Sequence, residues 1–104
     1  MWLLVLYTIY KLSDGGKRPV DTHDIIRIIF DELWYNHHIA LYSSRDNLKT
    51  VIENLKVMGL LETTENGKVI VKDKSMIERM MKIIADSPMM SYIISKLEEI
   101  SKKL

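Results

Sequence analysis

The chain is 104 residues long, enough for one domain with its own core. Its 47% hydrophobic and 28% charged residues exclude an intrinsically disordered chain, and the lack of cysteine excludes disulfides and thiolate metal sites. The formal net charge is +1, with 15 basic and 14 acidic residues interspersed, so any electropositive surface has to be made by folding.

Residues 1–12 are nearly all apolar. A membrane span needs about 20 such residues, and a signal peptide wants a basic start and a small-residue cleavage site. The run stops at Lys11 and has neither feature, so residues 2–12 read as a helix buried on most of its surface. Ser13-Asp14-Gly15-Gly16 ends it, the glycines suiting the left-handed backbone that follows a helix. Residues 17–20 form a short extended piece, because Pro19 turns Arg18 away from helical geometry.

Asp21 is a good N-cap, and with Asp24 it suggests a capping box. The second helix then runs to Trp34 or Tyr35, with Ile26, Ile29, Phe30 and Leu33 as its apolar stripe. Residues 36–42 connect it to a third helix, opened by Ser43-Ser44-Arg45-Asp46. Leu48, Val51, Ile52 and Leu55 follow the i, i+3, i+4, i+7 pattern, and Gly59 ends the helix. Residues 60–64 and 68–72 are short β-type runs around Asn66-Gly67, a pair suited to a type I′ hairpin turn.

Ser75 and Glu78 have the spacing of a capping box, which predicts a fourth helix from Ser75 to about Asp86. Ser87-Pro88 restarts the helix with proline at its first position. Met90, Ile93, Leu97, Ile100 and Leu104 then repeat like a coiled-coil seam. There is no internal repeat, low-complexity tract or long linker.

The order helix, extended piece, helix, helix, hairpin, helix, helix is that of a winged helix with a C-terminal helical extension. The fold class is α+β, mostly α, with residues 1–74 as the winged helix-turn-helix and 75–104 as a dimerisation extension of the same domain. The stretch ALYSSRDNLKTVIENLKVMGLLE, residues 40–62, resembles winged-helix regulators of the MarR and PadR type. It has their serine-opened recognition helix, a leucine at Leu55, and a Gly59-Leu60-Leu61-Glu62 step into the wing. The long connection before the third helix suits the PadR type better.

The resemblance implies that the third helix enters the major groove and presents its outer face to base edges. On the arc opposite the buried stripe lie Asp46, Asn47, Lys49, Thr50, Glu53 and Asn54. Asparagine can read adenine through two hydrogen bonds, and lysine can reach guanine or phosphate. Ser43, Ser44 and Arg45 stand at the helix start, where free N–H groups also favour phosphate. Lys68, near the tip of the wing, is placed for the minor groove or a flanking phosphate. Asp46 and Glu53 on the same arc oppose DNA.

Other features carry less. His37 and His38 adjoin one another without further ligands at metal spacing, so no metal or other cofactor is expected. Trp2, Tyr7, Tyr10, Trp34, Tyr35 and Tyr42 read as core or interface before effector pocket. No phosphate loop or nucleophile motif points to an enzyme. The expectation is a cytoplasmic, nucleoid-associated transcriptional regulator that binds a roughly palindromic duplex as a homodimer, away from any membrane. Its effector, if there is one, cannot be read from the sequence. Two alternatives stand beside it: a non-specific DNA-coating, partition or chromatin-type winged helix, and a protein-interaction winged helix without a DNA role.

Overall fold

A computed structural model describes residues 2–39 and 44–102. Ser43 of the expected contact set, residues 40–42 of the resembling stretch, and Leu104 of the C-terminal spacing lie outside the described residues. The chain is mostly helical with one antiparallel hairpin. In order it runs α1 (Trp2–Leu12), α2 (Thr22–Ile26) continuing as a π-helix (Arg27–Asn36), α3 (Arg45–Val57), β1 (Leu61–Thr63), β2 (Val69–Val71), α4 (Lys74–Ile84) and α5 (Pro88–Lys102). No helix among the described residues is long and apolar enough to cross a membrane.

The apolar run at the start forms a central helix. Leu4, Val5, Leu6, Tyr7, Thr8 and Ile9 of α1 are all buried, as expected for a helix apolar on every side. Val5, Leu6 and Ile9 join a main core with Ile25, Ile29, Leu48, Ile52, Leu55, Val69 and Ile77. Leu4 and Tyr7 turn to a second core with Ile28, Leu33, Ile93, Leu97 and Ile100. The two cores thus share α1, which ties the C-terminal helices into the same body as the hairpin.

Helix α1 closes with the N–H of Asp14 on the carbonyl of Lys11 and that of Gly15 on Tyr10. The left-handed residue at this turn is Asp14, at φ 55°, followed by Gly15 and Gly16 in the same region. The expected glycine termination is therefore begun by an aspartate, one of the few side chains that tolerates that conformation. Val20 then pairs with Val69 through N–H···O bonds of 2.7 and 2.8 Å, which lays the extended piece along β2.

Asp21 caps α2 as expected, accepting from the N–H of His23 at 2.8 Å. The capping box is not made, because the Asp24 carboxylate is engaged by Arg27 at 3.3 Å. From Arg27 the helix widens to the i→i+5 register and ends at Asn36, where an ordinary α-helix was expected. The single expected stripe divides: Ile26, Ile29 and Phe30 face the main core, while Ile28 and Leu33 face the second. In the wide register residues five apart share a face, so Ile28 and Leu33 can reach α5 together.

Helix α3 ends as its glycine predicts. The N–H of Gly59 bonds to Lys56 and that of Leu60 to Leu55, with Gly59 at φ 81°. The hairpin pairs Leu61 with Val71, Glu62 with Ile70 and Thr63 with Val69. Its turn is not type I′, since Gly67 has positive φ, at 76°, and Asn66 does not. The carbonyl of Thr64 accepts from Gly67, and the N–H of Thr64 bonds to Lys68. This is a three-residue loop closed by a left-handed glycine, a solution that needs one special residue rather than two.

The N-cap of α4 is Asp73, not Ser75: its carboxylate accepts from the N–H of Met76 at 3.1 Å. That bond, reinforced by the Ser75 hydroxyl, holds the Asp73 carboxyl below the usual carboxylate range. Glu78 accepts from the Tyr10 hydroxyl at 2.8 Å. Pro88 opens α5 as expected, with the Ser91 N–H bonded to the Ser87 carbonyl.

The C-terminal seam is spent inside the chain. Ile93, Leu97 and Ile100 are buried against α1 and the π-helix, with Met90 packed at the edge. The apolar groups left exposed on α4 and α5 are others: Ile83, Met89 and Tyr92.

Candidate nucleic-acid interface

Helix α3 is amphipathic, and its faces are set by packing. Leu48, Ile52 and Leu55 are buried in the main core, and Val51 packs beside them. The opposite arc leaves Arg45, Asp46, Asn47, Lys49, Thr50, Glu53 and Asn54 exposed, which is the arc expected from the sequence. Ser44, in extended conformation, caps the start: its Oγ accepts from the N–H of Asn47 at 3.1 Å. Ser44 is thus committed to the helix as its cap.

The polar groups divide by their engagements. Thr50 donates its hydroxyl to the Asp46 carbonyl at 3.0 Å, leaving an acceptor oxygen on the surface. Lys49 and Asn54 make no side-chain hydrogen bond among the described residues. Arg45 is held by Asp31 of the π-helix and lies over the Phe30 ring, 4.7 Å from its centroid. Lys56, near the end of α3, pairs with Glu53 at 2.9 Å. Lys49 is therefore the cation of α3 without an ion pair among the described residues.

Lys68 stands at the tip end of the hairpin, as expected: it follows the loop of Glu65, Asn66 and Gly67, and its carbonyl accepts from the Thr64 N–H. It is half-buried and lines a surface cleft with Lys11, Arg18 and Arg27. Sequence reading missed Arg18, which precedes Pro19 in the short extended piece, and Arg27, a single cation set between Ile26 and Ile28. The antiparallel pairing of Val20 with Val69 lays the extended piece that carries Arg18 beside β2, and Arg18 and Lys68 both line the cleft.

No group of three or more histidine, aspartate or glutamate side chains among the described residues is placed to hold a metal ion. His38 occupies the left-handed region at φ 58°, just after the π-helix, and no ligand set forms around it. Comparison of the chain with protein families, with characterised proteins and with solved structures finds no match.

Proposed function

We propose that this chain is a winged-helix DNA-binding protein, with α3 as its recognition helix, acting as a homodimeric transcriptional regulator on a roughly palindromic duplex. The observation that carries this reading is the outer arc of α3. Asn47, Thr50, Asn54 and Lys49 stand exposed opposite a buried stripe, on a helix fixed at one end by a serine cap and at the other by a glycine turn. Short neutral side chains that donate and accept suit base edges, and the lone lysine suits guanine or phosphate. The element order supports the same reading, with Val20 bridged to Val69 of β2 ahead of α2.

A second copy has no access to Ile93, Leu97 and Ile100, so a dimer would meet through Ile83, Met89 and Tyr92, which are exposed. The test is selection of bound sequences from a random duplex pool, followed by salt titration. Enrichment of a two-fold related sequence is the expected result. Binding without enrichment would favour DNA coating.

The protein-interaction reading is favoured by a different observation. Asp46 and Glu53 share the arc, and Arg45 and Lys56 are already paired with carboxylates. Failure to bind any duplex at low salt would select it, because phosphate attraction is strongest there.

A further inference from the structure

A cleft of about 670 Å³ opens between the end of α1, the extended piece, α2 with the start of the π-helix, and the residue that leads into β2. It is the size of an ordinary small-ligand site. Lys11, Arg18, Arg27 and Lys68 line it, from four separate parts of the chain. Lys11 lies 3.8 Å from Glu98, and Arg27 lies 3.3 Å from Asp24. Arg18 and Lys68 make no ion pair or side-chain hydrogen bond among the described residues. Two cations without an ion pair among the described residues therefore share one concave surface on a chain whose net charge is only +1.

The carboxylates of the cleft are Asp14, Asp21 and Asp24. Asp21 is turned to the His23 N–H as the α2 cap, and Asp24 is neutralised by Arg27. Only Asp14 has no partner among the described residues, and it partly offsets the field of Arg18 and Lys68.

We propose that this cleft binds a phosphate group between Arg18 and Lys68. Guanidinium supplies a planar fork for phosphate oxygens, and ammonium adds a point charge. The group comes either from a duplex backbone lying beside the hairpin at Lys68 or from a free phosphorylated molecule. The first source rests on the DNA-binding reading; the second does not.

The experiment titrates wild type, Arg18→Gln and Lys68→Gln with two probes, followed by NMR of the backbone and arginine side chains. One probe is a nucleoside monophosphate, and the other is random-sequence duplex with its salt dependence measured. Both substitutions remove charged groups without side-chain partners among the described residues, and retained amide spectra check the fold. If each variant lowers the duplex salt slope by about one, the phosphate is that of DNA. If the monophosphate shifts Arg18 and Lys68 in wild type and each variant weakens it several-fold with the duplex slope unchanged, the source is the free molecule. This second result stands even if wild type binds no duplex, which would sink the DNA reading alone. In either case Asp14→Asn should tighten phosphate binding, because asparagine keeps the left-handed backbone and removes the opposing charge. If neither probe perturbs Arg18 or Lys68 and neither variant alters binding, the proposal is overturned.

Discussion

Arg45 and Asp31 join the start of α3 to the π-helix that precedes it in the chain, and the guanidinium also covers the face of Phe30. Core packing of Leu48, Ile52 and Leu55 places α3, and the pair adds a surface link between it and the π-helix. The pair also occupies the cation best placed at the helix start to meet a phosphate. Both side chains are partly exposed, at 53% and 39%, so the pair adds only about 0–1 kcal/mol to stability. Asp31→Asn should release Arg45 with little change in melting temperature. Duplex affinity should then rise for all sequences alike, with a steeper salt dependence. Unchanged binding in Asp31→Asn together with unchanged binding in Arg45→Ala would remove Arg45 from the interface.

Tyr7 is buried at the contact of α1 with α5 and donates to Glu98 at 2.6 Å. Burial, with the carboxylate as second cause, lifts its hydroxyl well above the ordinary tyrosine range. The folded chain therefore holds this proton more tightly than the unfolded chain does. The stabilisation is complete below pH about 10 and declines as the pH rises past that value. Tyr7→Phe should lower stability by about 1 kcal/mol at neutral pH, since the half-exposed Glu98 can turn to water and Lys11. Its alkaline decline should be shallower than that of wild type. Denaturant melts at pH 7, 9 and 11 read both effects, and parallel pH profiles would contradict the assignment.

Two candidate caps for α4 are separable. Asp73 accepts the Met76 N–H, while Ser75 only donates to Asp73. Asp73→Ala should reduce the melting temperature clearly more than Ser75→Ala. The reverse order would restore the serine cap. The depressed Asp73 carboxyl also predicts that its contribution is present above the usual aspartate range and fades as the pH falls through it.

Leu97 is 2% exposed and packs with Leu4, Tyr7, Ile28 and Leu33. Leu97→Ala should therefore cost about 2–5 kcal/mol in the folding of one chain. Ile93→Asp should go further and unfold it, by burying an unpaired charge. Self-association is tested instead at Met89 and Tyr92, both exposed. Charged substitutions there should give monomers by sedimentation without loss of helix content. If Leu97→Ala left stability unaltered and only lowered the mass, the helix would belong to an interface after all.

What the sequence determined by itself is the local architecture. The apolar run marks α1, Ser44 caps α3, Gly59 ends it, and Pro88 restarts the last helix, because each acts through its own backbone or through residues within a turn or two. The outer arc of α3 was legible for the same reason, since the spacing of Leu48, Ile52 and Leu55 leaves only one other face. The hairpin was legible as well, though not its turn, because Asn66-Gly67 fits more than one loop and strand pairing selects among them. Tertiary structure decided what each apolar stripe meets. The spacing of Ile93, Leu97 and Ile100 specifies a stripe but not a partner, and the partner is α1 and the π-helix of the same chain. The widening after Ile26 belongs to the same decision, since it lets one helix serve two cores. The cleft was beyond sequence reading altogether. Lys11, Arg18, Arg27 and Lys68 are scattered among opposite charges, and they share a surface only because Val20 is laid beside Val69 and α1 is buried beneath.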